Sequence, residues 1–271
     1  MSDFDWPTLL NALVDGNDLG RDLATAAMTE IMEGKATEAQ IAAFVIGLRT
    51  KGESVEEMTG LVDAMYAAAV TVDAGDDVVD LVGTGGDRAG TFNISTTAAL
   101  VAAGAGVRIA KHGNRAASSK TGSADLLEQL GMRLDLEPEA TVDMIRSVGF
   151  GFFFAPAYHP AMRFAGPVRR QLGVRTVFNF LGPLCNPANT KRAAVGVSEP
   201  SMARRMAGVL QARGAEYAFV FTGDQGLDEL SISGKSTIHR IQDVEITSAE
   251  FRPADFHVPA APIEAVRGGD A

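Results

Sequence analysis

Apolar positions in the first 70 residues repeat at helical spacing. Two predicted helices each have one apolar face, formed by Ile41, Phe44, Val45 and Leu48 in the first and by Val55, Met58, Val62 and Met65 in the second. A capping box precedes each face, Thr37 with Gln40 and Ser54 with Glu57, in which side chains and backbone N–H groups bond reciprocally. The pattern therefore predicts amphipathic helices that begin at these caps.

The pattern changes after residue 72. Short apolar runs alternate with helical stretches from there on, at 78–82, 107–110, 150–154, 193–197 and 217–222. This alternation is typical of an α/β fold. We therefore predict a small N-terminal α-helical domain over residues 1–72 and a larger α/β domain with a central, mostly parallel sheet over residues 73–271.

The composition indicates the class of protein and where in the cell it works. With 46% hydrophobic and 21% charged residues the chain is an ordinary globular protein. No apolar run approaches the roughly 20 residues that a bilayer requires, and the acidic start "MSDFDWPTLL" does not resemble a signal peptide. The single cysteine, Cys185, excludes an intramolecular disulfide. We expect a cytoplasmic protein with no membrane contact.

The net charge of −10 argues against nucleic-acid binding, because phosphate backbones are bound by accumulated Lys and Arg. A small anion in a local basic pocket is compatible with this charge.

The stretch "DLVGTGGDRAGTFNIST", residues 80–96, indicates such an anion. Its four glycines leave backbone N–H groups uncovered, and Ser95 and Thr96 stand at the start of a predicted helix, where the dipole favours negative charge. It is not a Walker loop, since no Lys follows in register, and it is not a Rossmann fingerprint, since Arg88 replaces the last glycine. The alternative is an ordinary turn followed by a helix cap.

A second polar cluster follows the next predicted strand. "AKHGNRAASSKTGSADLLEQL" places Lys111, His112, Asn114 and Arg115 directly after an apolar run, and Gly122–Ser123 begins another helix. Ligands bind at the carboxyl ends of strands in α/β sheets. Each residue alone fits a solvated basic loop, but the two clusters together favour an anion site.

Seven segments occur along the chain in this order: "GTGGD", "TFNIST", "KHGNRAASS", "GSADLLEQLG", "FAPAYHPAMR", "PVRRQLGVRTVFNFLGPLCNP" and "GLDELS". In their order and spacing the chain resembles the anthranilate phosphoribosyltransferases of tryptophan biosynthesis, which belong to the nucleoside phosphorylase and phosphoribosyltransferase superfamily. The resemblance implies an enzyme that transfers the phosphoribosyl group of 5-phosphoribosyl 1-diphosphate to anthranilate, with Mg²⁺ on the diphosphate.

The resemblance also implies a donor site for 5-phosphoribosyl 1-diphosphate. Its residues would be Gly83, Gly86, Asp87, Thr91, Asn93, Ile94, Ser95, Thr96, Lys111, Arg115, Ser119 and Ser123. Arg88 stands where many members of the family have glycine, so we expect a backbone without positive φ at this position.

For the metal, the resemblance implies Ser95, Asp228 and Glu229 as Mg²⁺ ligands. Mg²⁺ is typically held by one or two carboxylates together with substrate phosphates, and "GLDELS" supplies such a pair. An adjacent acidic pair otherwise usually lies on a surface.

For the acceptor, the resemblance implies Gly83, His112, Asn114 and Arg169 around anthranilate, with the Arg169 guanidinium on the carboxylate. His159 fits a packed structural histidine equally well. We assign no general base, because the attacking aromatic amine is neutral at pH 7.

Two other functions stay open at this stage. One is a pyrimidine-nucleoside phosphorylase, which shares the fold family, although "NIST", "KHGNR" and "DEL" together favour diphosphate and Mg²⁺. The other is a non-catalytic relative that binds nucleic acid, which would need a basic surface.

We also expect a homodimer that pairs through the N-terminal helices. Members of the family continue with further helices after a motif like "EAVRGGDA", so we expect a C-terminally shortened form.

Overall fold

The structure is a computed structural model that describes residues 4–116 and 121–269. The chain divides into two compact units. The helical unit comprises the residues before Val72 together with Tyr158–Cys185, and the α/β unit comprises Val72–Ala157 and the residues from Asn186 onward.

The helical unit begins with four helices: α1 (Trp6–Val14), α2 (Gly20–Met32), α3 (Glu38–Lys51) and α4 (Val55–Ala67). Both predicted capping boxes are confirmed, at Thr37 with Gln40 and at Ser54 with Glu57. The predicted apolar face of α3 is buried, as are Met58, Val62 and Met65 of α4. Local capping therefore fixes where these helices start, and burial of one face stabilises them.

A later segment completes the helical unit and corrects the predicted domain division, which placed it in the α/β domain. It carries α9 (Gly166–Leu172) and α10 (Phe178–Leu181), which contact α3 and α4 respectively. Phe178, Phe180 and Leu181 are buried. These apolar residues pack among the helices, so the chain returns to this unit after the third strand.

The α/β unit is built around a seven-stranded sheet. Its strands are β1 (Val78–Gly83), β2 (Arg108–Gly113), β3 (Phe150–Phe154), β4 (Arg192–Gly196), β5 (Tyr217–Gly223), β6 (Ser236–Gln242) and β7 (Glu245–Phe251). Its helices are α5 (Ile94–Gly104), α6 (Ser123–Gln129), α7 (Pro138–Val148) and α11 (Pro200–Ala212), and α8 (Ala155–Tyr158) follows β3.

The strand order is β3-β2-β1-β4-β5-β6-β7, with β1 to β5 parallel and the last two antiparallel. This confirms the predicted fold class and the five predicted strands, whereas β6 and β7 were not predicted.

The strand order creates a topological switch point between β1 and β4. The chain proceeds from β1 to β2 and β3 on one side, and β4 and β5 add on the other. Connections on the two sides diverge at such a point and leave a crevice at the carboxyl ends of the strands. The loop after β1 therefore lies where ligands bind in this class of sheet.

The core beneath this crevice is apolar. Ala99 of α5 packs with Ile109, Leu127 and Phe152 from β2, α6 and β3. In the described part of the chain, no helix has the length and apolar character that crossing a bilayer requires.

Candidate active site

The glycine-rich loop after β1 begins at Gly83 and leads into α5. Gly85 and Gly86 have φ of 68° and 80°, a left-handed conformation that glycine adopts without steric cost. A Cβ at Gly83 would lie 2.5 Å from Oδ2 of Asp228. Glycine is therefore needed at position 83 for the carboxylate to approach the loop.

Asp228 and Glu229 follow β5 and contact this loop. Oδ2 of Asp228 accepts a hydrogen bond from the Gly85 N–H at 2.6 Å. Oε1 of Glu229 accepts one from the Ser95 hydroxyl at 2.7 Å. The structure thus brings together the three residues that the resemblance implied as Mg²⁺ ligands, from segments far apart in the sequence.

The site concentrates negative charge. Burial raises the pKa of Asp228 to about 7, and the neighbouring carboxylates of Asp87 and Glu229 contribute to this rise. Burial also raises the pKa of Glu229, although the Ser95 hydrogen bond and the charge of Lys111 oppose this. A nearby cation stabilises the ionised form of carboxylates that are buried close to one another.

The side-chain oxygens of Ser95, Asp228 and Glu229 are ligands of the kind that Mg²⁺ prefers. They would fill only part of the coordination sphere of the ion. Within residues 4–116 and 121–269, no three His, Cys, Asp or Glu side chains converge as a metal-binding group. A cation at Asp228 and Glu229 would therefore take other ligands from water or from a bound diphosphate.

The start of α5 is ordered by side-chain hydrogen bonds. Oδ1 of Asn93 accepts from the Thr96 N–H at 2.9 Å and caps the helix. The Thr96 hydroxyl donates to Oγ of Ser123 at 3.0 Å, which ties α5 to the start of α6. Asn93 and Thr96 therefore fix the start of the helix, and Ile94 begins α5. Thr91 pairs with Arg267 in an isolated bridge.

Lys111 and His112 of the second polar cluster do not lie where the sequence predicts them. Lys111 and His112 lie within β2 and are buried, not in the loop after it. The Lys111 ammonium donates to the Leu81 carbonyl, and Oδ1 of Asp80 accepts from the His112 N–H at 3.1 Å. Burial lowers the pKa of Lys111, and the charges of Asp80 and Glu229 oppose this shift, so Lys111 interacts with Glu229 through its charge.

Beyond β2, Asn114 and Arg115 are exposed. The Arg115 guanidinium contacts Asp125 and Glu128 and lies 5.6 Å from the centre of the Phe154 ring. Arg115 is therefore held by two carboxylates of α6. Ser119 falls outside the described residues.

The expectation for Arg88 was wrong. Its φ is 59°, in the left-handed region, whereas we expected a backbone without positive φ. Gly86 and Gly90, two residues away on either side, also have positive φ, so Arg88 lies in a stretch of the loop rich in left-handed conformations. A side chain there costs about 1–2 kcal/mol relative to glycine.

In the helical unit, Arg169 lies on α9 with its guanidinium 5.7 Å from the centre of the Phe178 ring, and it is solvent-accessible. His159 is buried, and its Nε2 bonds to the Cys185 carbonyl at 2.8 Å. Burial lowers the pKa of His159. These contacts favour the structural interpretation of His159.

Ser198, which was not predicted from the sequence, follows β4 and contacts the glycine loop. Its hydroxyl donates to the Gly85 carbonyl at 2.7 Å. No motif marks this serine, because it meets the loop only when β1 and β4 pair.

Two family models together match most of the chain. The model described as "Glycosyl transferase family, helical bundle domain" matches residues 7–69, and "Glycosyl transferase family, a/b domain" matches residues 75–271. The fold and the site therefore define a member of this two-domain glycosyl transferase family.

Known proteins refine this class. An anthranilate phosphoribosyltransferase of Nocardioides is 53% identical over 266 residues, which is 98% of this chain and 78% of that protein. The crystal structure of anthranilate phosphoribosyltransferase from Thermus thermophilus superimposes with a TM-score of 0.90 at 41% identity, covering 96% of this chain and 78% of that one.

A yeast structure adds ligands. Anthranilate phosphoribosyltransferase from Saccharomyces cerevisiae in complex with PRPP (5-phosphoribosyl 1-diphosphate) and Mg has a TM-score of 0.89 at 27% identity, covering 99% of this chain and 78% of that one. The chain belongs to the anthranilate phosphoribosyltransferase family. This favours phosphoribosyl transfer over the phosphorylase and nucleic-acid-binding alternatives.

Proposed function

We propose that this protein transfers the phosphoribosyl group of 5-phosphoribosyl 1-diphosphate to anthranilate and releases diphosphate. The observation that carries the proposal is the meeting of the glycine loop with Asp228 and Glu229 at the switch point of the sheet. This arrangement supplies both anion-binding backbone groups and cation ligands in one place.

The donor would bind with its diphosphate against the glycine loop and the start of α5. Left-handed Gly86 has no side chain to cover the backbone of the loop, and the N-terminal end of a helix favours an anion. Thr96, Asn93 and Ser123 hold this helix start through their mutual hydrogen bonds. The chain thus presents a preformed anion site, which lowers the ordering cost of binding.

Asp228, Glu229 and the Ser95 hydroxyl would hold Mg²⁺ beside the diphosphate. Bound Mg²⁺ would neutralise charge that develops on the departing diphosphate. Lys111 contributes a buried positive charge to the same region. Since the aromatic amine is already a neutral nucleophile, positioning and electrostatic stabilisation by these residues account for the reaction without a general base.

A comparison of substrate pairs tests the proposed function. The protein is incubated with Mg²⁺ and either 5-phosphoribosyl 1-diphosphate plus anthranilate or a pyrimidine nucleoside plus inorganic phosphate. We expect fluorescent phosphoribosylanthranilate from the first pair and no free base from the second. Phosphorolysis without phosphoribosyl transfer would overturn the proposal in favour of a phosphorylase.

Arg169 is the residue we propose for the anthranilate carboxylate, with Gly83, His112 and Asn114 as the other proposed acceptor residues. Its planar guanidinium suits a carboxylate, and a hydrogen bond to a charged group contributes about 1.5–3 kcal/mol. We expect Arg169→Ala to lower kcat/KM for anthranilate roughly ten- to hundredfold and to leave donor binding nearly unchanged.

The neighbouring arginine provides the control for this test. Arg170→Ala removes the same charge from the same short helix. We expect its kinetics to match the parent within about twofold. Equal anthranilate KM values for the parent and both variants would show that Arg169 does not bind the acceptor.

A homodimer formed through the N-terminal helices is also part of the proposal, as is a cytoplasmic location. Val14 of α1 is 83% exposed and Ile46 of α3 is 37% exposed. Burial of such apolar side chains against a second subunit would stabilise the dimer. Light scattering at micromolar concentration should therefore give twice the mass of one chain. A monomer mass would contradict the dimer.

A further inference from the structure

The glycine loop depends on contacts from outside for its conformation. Local hydrogen bonds within the loop include those from the Thr84 hydroxyl to the Gly85 carbonyl at 3.3 Å and from the Ala89 N–H to Oδ1 of Asp87 at 3.1 Å. Gly85 and Gly86 have large backbone freedom, which costs entropy to restrict. Neighbouring elements must therefore hold the loop if it is to be preformed.

Ser198 contacts the loop through both its side chain and its backbone, and its hydroxyl also lies 3.1 Å from the Thr84 hydroxyl. Its hydroxyl donates to the Gly85 carbonyl at 2.7 Å, and its backbone N–H donates to the Thr84 hydroxyl at 3.1 Å. The Thr84 N–H in turn donates to the Gly196 carbonyl at 3.0 Å. Since Gly83 and Gly196 are the last paired residues of β1 and β4, these bonds extend the strand pairing into the loop.

Gly85 is also bound on its other side by the proposed cation site. Its N–H donates to Oδ2 of Asp228 at 2.6 Å, while its carbonyl accepts from Ser198. One glycine therefore links Ser198 to Asp228. A change in the orientation of Gly85 would alter both the diphosphate loop and the position of this carboxylate.

The Ser198 hydroxyl is not used as a helix cap. Serine next to a helix start commonly accepts a hydrogen bond from the first turn. Here the N-cap of α11 is Glu199, and the Ser198 hydroxyl is directed to the loop instead. Its contacts therefore serve the loop and not the helix.

We propose that Ser198 is a positioning residue of the donor site, which fixes Gly85 so that the loop and Asp228 together receive the diphosphate and its cation. This inference rests on the proposed function. It predicts that loss of the hydroxyl weakens donor binding selectively, because Gly85, which the hydroxyl holds, is not among the residues proposed for anthranilate.

Ser198→Ala tests the inference against Ser201→Ala. Ser201 stands in the first turn of α11, and its hydroxyl contacts Glu199. For Ser198→Ala we expect KM for 5-phosphoribosyl 1-diphosphate to rise about three- to tenfold, with kcat and the anthranilate KM within about twofold of the parent. Ser201→Ala should match the parent in all three constants.

A second variant and a second measurement keep the outcome decisive. Thr84→Val removes the acceptor for the Ser198 N–H and should act in the same direction. Calorimetric titration with 5-phosphoribosyl 1-diphosphate and Mg²⁺ measures donor binding without turnover, so absent transfer by the parent would count against the proposed function and not against Ser198. Unchanged donor affinity in Ser198→Ala, or an equal rise of both KM values, would overturn the inference.

Discussion

Simultaneous replacement of Asp228 by Asn and Glu229 by Gln is expected to reduce kcat/KM about 10²- to 10⁴-fold. Each substitution would remove one of the proposed carboxylate contacts to the cation, and two charge-assisted contacts contribute about 3–6 kcal/mol. The amide oxygens still accept hydrogen bonds, so the bonds from Gly85 and Ser95 can persist. Steady-state kinetics at varied Mg²⁺, with a thermal melt, measures the loss and the fold together.

Asp224→Asn is the matched control for this pair. Asp224 is an exposed carboxylate in the short 3-10 helix just before the site, and its side chain accepts from the Gln225 N–H. We expect its activity to stay within about twofold of the parent. Full activity of the Asp228→Asn, Glu229→Gln double variant, or full activity of the parent in excess chelator, would contradict the proposed cation site.

Gly196→Ala should also cause a large loss of activity, for a steric reason. Gly196 ends β4, and a Cβ there would lie 1.7 Å from the Asp228 carbonyl oxygen and 2.7 Å from its carbonyl carbon. The obstacle is backbone, so no side-chain rotation relieves it. We expect displacement of the Asp228 segment, at least a roughly hundredfold lower kcat/KM, and a stability loss of about 1–3 kcal/mol.

Gly104→Ala separates this effect from a general cost of replacing glycine. Gly104 ends α5, has no neighbouring atom within 4 Å of an added Cβ, and lies in a helix, where alanine is favoured. Its activity and melting temperature should equal or exceed those of the parent. Parent-like kinetics of Gly196→Ala would show that the Asp228 segment does not need its observed position.

The sequence predicted those parts of the fold that depend on local interactions. The capping boxes at Thr37 and Ser54 act within one helical turn and could therefore be predicted from the sequence. The five parallel strands could be predicted because each carries a short apolar run. β7 was not predicted, since most of its residues are exposed and no apolar face marks it.

The candidate site was predictable only in part, for a similar reason. The glycine loop and the "GLDELS" segment carry recognisable residues, and the resemblance connected them. The contact of Ser198 with Gly85 joins residues 113 positions apart and depends on pairing of β1 and β4, so no local pattern reveals it. Likewise, the burial of Lys111 follows from the length of β2, which extends further than the predicted apolar run.

The positive φ of Arg88 shows a limit of inference from residue type. Steric rules disfavour this conformation for arginine, yet Arg88 adopts it in a loop where Gly86 and Gly90 have positive φ as well. The local cost is small relative to the stability of a folded domain, so surrounding structure can override it.

A crystal structure of this chain with 5-phosphoribosyl 1-diphosphate and Mn²⁺ tests the account most directly, because Mn²⁺ accepts the same oxygen ligands as Mg²⁺ and scatters anomalously. The account predicts an anomalous peak at coordination distance from the Asp228 or Glu229 carboxylates, with the diphosphate against the loop from Gly83 to Thr96. A diphosphate or metal bound elsewhere, with this loop and both carboxylates uninvolved, would contradict it.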